Sequence, residues 1–74
     1  MLEFLLINRG KSPDLLDKIR RLEGVKEVYE VFGFEYDIIV KIEGDSFDSL
    51  REMEKKIAKL TGVKSILKLP ERKL

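Results

Sequence analysis

The chain has 74 residues, with 15 Lys plus Arg against 14 Asp plus Glu, and neither Cys nor His. That length makes one domain, residues 1–74, with a thin core. The missing thiols and imidazoles exclude disulfides, thiolate or histidine metal sites and the commonest general base, and a net charge of +1 lacks the basic excess of a nucleic-acid binder.

The first predicted element is a strand over Leu2–Asn8. Its run FLLI, residues 4–7, is the longest uninterrupted apolar stretch and is far too short for a membrane span. No signal peptide precedes it, so the expected compartment is the cytoplasm. Ser12 then reads as a helix N-cap, with Pro13 at the first helical position and Asp14 in the first turn, where an acid suits the helix dipole. Leu15, Leu16, Ile19 and Leu22 recur at helical spacing. Gly24 falls where a left-handed C-terminal cap is wanted, and Val25 can fold back on the last turn.

A second strand is predicted over residues 26–32, broken by Gly33. Phe34, Tyr36 and Asp37 crowd into the short turn that follows, and residues 37–42 read as a third strand. Ser46 with Asp48 opens a second helix, whose apolar residues are Phe47, Leu50, Met53, Ile57 and Leu60. Gly62 and Val63 close it, and residues 64–69 form the last strand.

The chain repeats itself. GKSPDLL (residues 10–16) and GDSFDSL (44–50) share the pattern Gly-x-Ser-x-Asp-x-Leu, and LEGVK (22–26) returns as LTGVK (60–64). Each half is strand–helix–strand, so the whole is βαββαβ. With right-handed crossovers this is an α+β, ferredoxin-like fold: a four-stranded antiparallel sheet with two helices on one face. The repeated phrases are helix stops feeding strands.

Two helices leave one sheet face open, yet both faces of the central strands are apolar. Phe4 and Leu6 share one side of the first strand, Leu5 and Ile7 the other. Ile38, Val40 and Ile42 lie opposite Ile39. The expected open face consists of Leu5, Ile7, Val28, Phe32, Ile39 and Ile66, interrupted by Glu30, Lys41 and Lys68. So much exposed apolar surface exceeds what a soluble monomer normally carries. Burying it at about 1.5–3 kcal/mol per side chain favours a homodimer or higher homo-oligomer with sheets packed face to face. The 39% charged content with no Gln and a single Asn, Asn8, is thermophile-like.

Catalysis is not expected. Ser12, Ser46, Ser49, Ser65 and Thr61 are the only aliphatic hydroxyls, with no imidazole or thiol to activate them. No phosphate loop of the form GxxxxGK[ST] occurs, and no metal or cofactor is implied. Lys11 beside Gly10 reads as a solvated loop lysine, and Asp45 and Asp48 as helix-capping acids rather than a cation site. The informative stretch is the central turn. Two aromatics in a Gly/Asp turn are unusual. Phe34, Tyr36 and Asp37 could line a small-molecule site in which the carboxylate holds an ammonium group, or the aromatics could pack against a neighbouring subunit; the two readings are compatible.

Gly24-Val25, Gly33 with Tyr36-Asp37, the run from Asp37 to Glu43, and Leu60-Thr61-Gly62-Val63 occur in that order. Over residues 2–69 the chain thereby resembles the effector-binding domain of the Lrp/AsnC transcriptional regulators. The resemblance implies sheet-paired dimers that build into rings, and small effectors, typically amino acids, bound in clefts near the Gly-x-Tyr-Asp turn. It gives Gly33, Tyr36 and Asp37 a ligand role, with Phe34 beside them. The chain departs from the family in three ways. It starts at the first strand, where the regulators carry a helix-turn-helix, so it resembles a stand-alone version that would act on full-length regulators of the same family. Two residues, Phe34 and Glu35, separate Gly33 from Tyr36, where the family has one. Lys68 stands in a strand where the family often carries threonines; it is read either as pairing with a ligand carboxylate or as a sign that the amino-acid site is lost.

Three other readings share the topology. An ACT-type amino-acid-binding domain has the same fold and role. A ligand-free assembly module needs only the apolar face. An RNA-binding module would use GFEY as its aromatic motif, but Glu35 and Asp37 flank Tyr36, and the first strand offers only Phe4, expected inside.

Overall fold

The computed structural model describes residues 1–10 and 12–72. Its elements run β1 (Leu2–Asn8), α1 (Leu15–Arg20), β2 (Val25–Glu30), β3 (Ile38–Glu43), α2 (Phe47–Ala58) and β4 (Ser65–Pro70). The strands form one antiparallel sheet in the order β2-β3-β1-β4. This is the predicted ferredoxin-like arrangement.

Leu5, Ile7, Ile38, Val40 and Ile42 from the two central strands meet Leu15 and Ile19 of α1 and Leu50 and Ile57 of α2, all buried. Val28 and Ile66 pack on the margin of this core from the edge strands. The register explains the grouping: Leu5 pairs with Val40 and Ile7 with Ile38, while Val28 lies across from Val40 and Ile66 across from Ile7.

The sheet is therefore turned over relative to the predicted faces. Leu5, Ile7, Val28 and Ile66 lie beneath the helices, so none belongs to an open face. Phe32 lies beyond the end of β2. Of the expected set only Ile39 is on the open side. Charge misleads here. Glu3, Glu30 and Lys68 occupy the same side as the core leucines and isoleucines, and alternation alone reads a charged side as the solvent side. Glu3 is in fact only 3% exposed.

The true open face is no less apolar. Tyr29, Ile39, Leu6 and Leu67 stand opposite one another in a single row across all four strands. Phe4 pairs with Leu69 in the next row, against Lys41 on β3. Phe4, Tyr29, Leu67 and Leu69 are each 40–48% exposed; Phe4, expected inside, is on the surface.

The two helix starts differ. Ser46 caps α2 as predicted: its hydroxyl accepts from the Ser49 N–H at 3.2 Å, and the Ser49 hydroxyl accepts from the Ser46 N–H at 3.0 Å. The N-cap of α1 is Asp14, without a side-chain cap bond. The Ser12 hydroxyl instead donates to Asp14 Oδ1 at 3.0 Å and lies against Gly62, leaving no room there for a Cβ. Gly24 answers it in the other half, with Met53 of α2 filling the space a side chain would need. Both glycines have positive φ, 90° and 105°. The helices themselves end earlier than expected, at Arg21 and Lys59 in right-handed conformation, and each repeated glycine shapes the turn that follows, at a point where the other half packs against it.

Candidate functional site

The turn between the halves, residues 31–37, lies at one end of the sheet beside the end of β1. Its backbone is tied at both sides: the Val31 N–H donates to the Asp37 carbonyl at 2.9 Å, and the Asp37 N–H to the Ile7 carbonyl at 3.0 Å. Gly33 sits directly over the Tyr36 carbonyl, where a Cβ would collide with backbone. Phe34 and Glu35, one residue more than the family has between Gly33 and Tyr36, form the loop that this close approach closes. Phe32 and Phe34 flank Gly33 and stand fully exposed, while Tyr36 is half-buried.

Arg9, which the sequence reading left out, is the centre of the cluster. Its backbone N–H donates to Asp37 Oδ1 at 3.0 Å, and its Nε lies 3.3 Å from Asp37 Oδ2. Its other arm reaches Glu30 Oε2 at 2.6 Å. The hydrogen bond to Glu30 holds the guanidinium even more firmly protonated than usual; burial opposes it, and the charges of Glu30 and Asp37 and the bond to Asp37 add smaller favourable effects. Around these groups opens a cavity of about 500 Å³ lined by Arg9, Glu30, Phe32, Gly33, Phe34 and Asp37. One cation, two carboxylates and two aromatic rings share that cavity. A zwitterion could set its carboxylate on Arg9 and its ammonium on Glu30 or Asp37.

Lys68 is elsewhere. It lies on the helix side of β4, with Nζ 3.1 Å from Glu54 Oε1 of α2. Gly33, Phe34 and Asp37 come together as expected, Tyr36 supports Gly33 from behind, and Lys68 takes no part. The missed signal was the pairing of β1 with β3, which brings the chain just past β1 beside the residue before β3, so that Arg9 reaches Asp37; a charged residue one step past a strand end carries no mark of its partner.

Glu3, Glu54 and Lys68 form a second polar group under α2. Burial, then the hydrogen bond to Glu54, pushes the Glu3 carboxyl up to about 7. Burial also acts to raise Glu54, but the bond from Glu3 and the nearby Lys68 bring it below its ordinary value. Glu3 Oε1 is buried without a hydrogen-bond partner.

The model of the Lrp/AsnC ligand-binding domain matches residues 4–67, from inside β1 to inside β4 and across the whole turn. The chain belongs to this family. Lrp/AsnC ligand-binding domains are regulatory parts of transcription regulators rather than an enzyme class. A crystal structure of FFRP-DM1 is similar, with 31% identity over 92% of this chain and 93% of that one and a TM-score of 0.82. A hypothetical protein, PHS023 from Pyrococcus horikoshii, shares 27% identity over 93% of this chain and 87% of its own, with a TM-score of 0.76. MtbAldR has the same fold at 19% identity and a TM-score of 0.79; this chain spans 53% of its length. No curated protein sequence matches the chain. Among the described residues, no helix is long and apolar enough to cross a membrane.

Proposed function

We propose that this Lrp/AsnC domain is a small-molecule sensor that assembles through the open sheet face and binds an amino-acid effector at the turn cavity. The observation that carries this reading is the Arg9–Glu30–Asp37 cluster beneath two exposed aromatics. Glu30 is the looser of the two carboxylates, its side chain 56% exposed against 30% for Asp37. An incoming amino acid inserts between Arg9 and Glu30, exchanging one ion pair for two, while Asp37 keeps Arg9 in place. Phe32 and Phe34 then close over the ligand side chain, removing their own apolar surface from water. Sheet pairing stacks the row Tyr29, Ile39, Leu6 and Leu67 against the same row of a second copy, an isologous contact. Through such contacts the domain would pass its ligand state to full-length regulators of the family.

The test is calorimetric titration of the protein with each of the twenty amino acids. The reading expects at least one to bind, with binding lost in Arg9→Gln and weakened in Phe34→Ala while the oligomer persists. Heat from none of them would contradict it.

The ligand-free assembly module is the second reading, and one observation favours it: Arg9 and its two carboxylates already satisfy one another without a ligand. The same titration separates the two.

A further inference from the structure

The protein is almost neutral, yet one groove carries four of its 15 cationic side chains. A groove of about 580 Å³ runs between α2 and β4, and Arg51, Lys55, Lys64 and Lys68 line it against a single acid, Glu54. Glu54 is already matched by Lys68. Among the described residues, Arg51, Lys55 and Lys64 enter no ion pair. Val63 and Ile66 contribute an apolar floor. The groove lies on the side of the turned sheet away from the open apolar face, so sheet pairing leaves it uncovered.

The groove also follows a free strand edge. In the order β2-β3-β1-β4, β4 has a neighbour on one side only. Lys64, Ile66 and Lys68 alternate along it on the helix side, giving the sequence cation, apolar, cation over roughly 13 Å of extended chain. A lone phosphate or carboxylate would meet one end of this array. A strand laid antiparallel beside β4 would meet all of it, bonding through its backbone and placing acid, apolar and acid opposite Lys64, Ile66 and Lys68. Arg51 and Lys55, one turn apart on α2, face the same space from above. Pro70, which has no N–H, ends the usable edge.

We propose that the groove between α2 and the free edge of β4 receives an extended acidic segment of a partner protein, of the pattern Glu-x-Val-x-Glu, added as a fifth strand. Nucleic acid would satisfy the charge but would leave the strand edge and the Val63–Ile66 floor unused.

The experiment uses the full chain and a fluorescein-labelled ten-residue peptide containing Glu-Thr-Val-Thr-Glu, read by fluorescence anisotropy and by ¹H–¹⁵N spectra. The peptide should bind, with the largest amide shifts in residues 64–69. The pair Lys55→Glu with Lys64→Glu should weaken binding about tenfold or more, since two attractive contacts become repulsive. Arg20→Glu on α1 should leave it unchanged. A peptide with Gln in place of Glu should bind far more weakly. No binding at millimolar peptide, shifts centred on the open sheet face, or a ten-nucleotide single-stranded DNA that binds the groove more tightly than the peptide would each overturn the proposal.

Discussion

Arg9 grips Asp37 twice, once through its backbone N–H and once through its guanidinium, and so fastens the turn of the second half-fold to the end of β1. The same guanidinium reaches Glu30 at the end of β2. One side chain thus ties three strand ends together beside the cavity, and the candidate site is built on the joint between the two halves.

Removing the Asp37 charge tests that joint. Asp37→Asn keeps an acceptor for the Arg9 N–H but loses the charge-assisted bond, and should cost about 1–2 kcal/mol. Urea denaturation measures the loss. Amide exchange should quicken in residues 31–37 and leave α2 unaffected.

The two faces of the sheet should respond differently to substitution. Leu5→Ala opens a cavity in the core and should destabilise the protein by about 2–5 kcal/mol. Leu6→Asp with Leu67→Asp changes only the open row, and should yield a folded monomer in light scattering. A monomer from Leu5→Ala with an intact oligomer from the Leu6 and Leu67 pair would place the interface on the other face.

Glu3 sets a pH dependence. Its folded carboxyl is raised to about 7 from an ordinary value of 4.5, so the folded state binds more protons than the unfolded state between these limits. Stability from this group is complete below about pH 4.5 and is lost as pH rises through 7. Glu3→Gln should flatten the stability profile between pH 5 and 8 and raise stability at pH 8. Thermal melts across that range give the slope.

Gly33→Ala should disturb the turn without unfolding the domain, because the new methyl group would meet the Tyr36 carbonyl. The turn must then move, and the spacing between Phe32 and Phe34 changes with it. Spectra of the variant should shift in residues 31–37 and stay unchanged in the core, and any ligand bound at the cavity should bind at least several-fold more weakly.

The βαββαβ order was legible because the signals are local: Ser46 caps α2, a glycine shapes the turn after each helix, and apolar periodicity separates helix from strand. The orientation of the sheet was not. Leu5 and Leu6 are chemically the same, so the choice between them rests on which side the crossover helices cover, and Glu3 points to the wrong answer by being charged and buried. Gly33, Phe34 and Asp37 were visible as an odd turn composition. Arg9 was not, since its role depends on a pairing between residues 28 positions apart. Lys68 was placed at the ligand site by the family resemblance alone, and the register puts it on the helix side, where it pairs with Glu54.

Native mass spectrometry of the purified protein, with and without the twenty amino acids together, reads assembly and ligand uptake in one spectrum. The account predicts a dimer or larger assembly that takes up one amino acid per subunit or per interface and identifies it by mass. A monomer that binds none of them would contradict both the sheet pairing and the sensor.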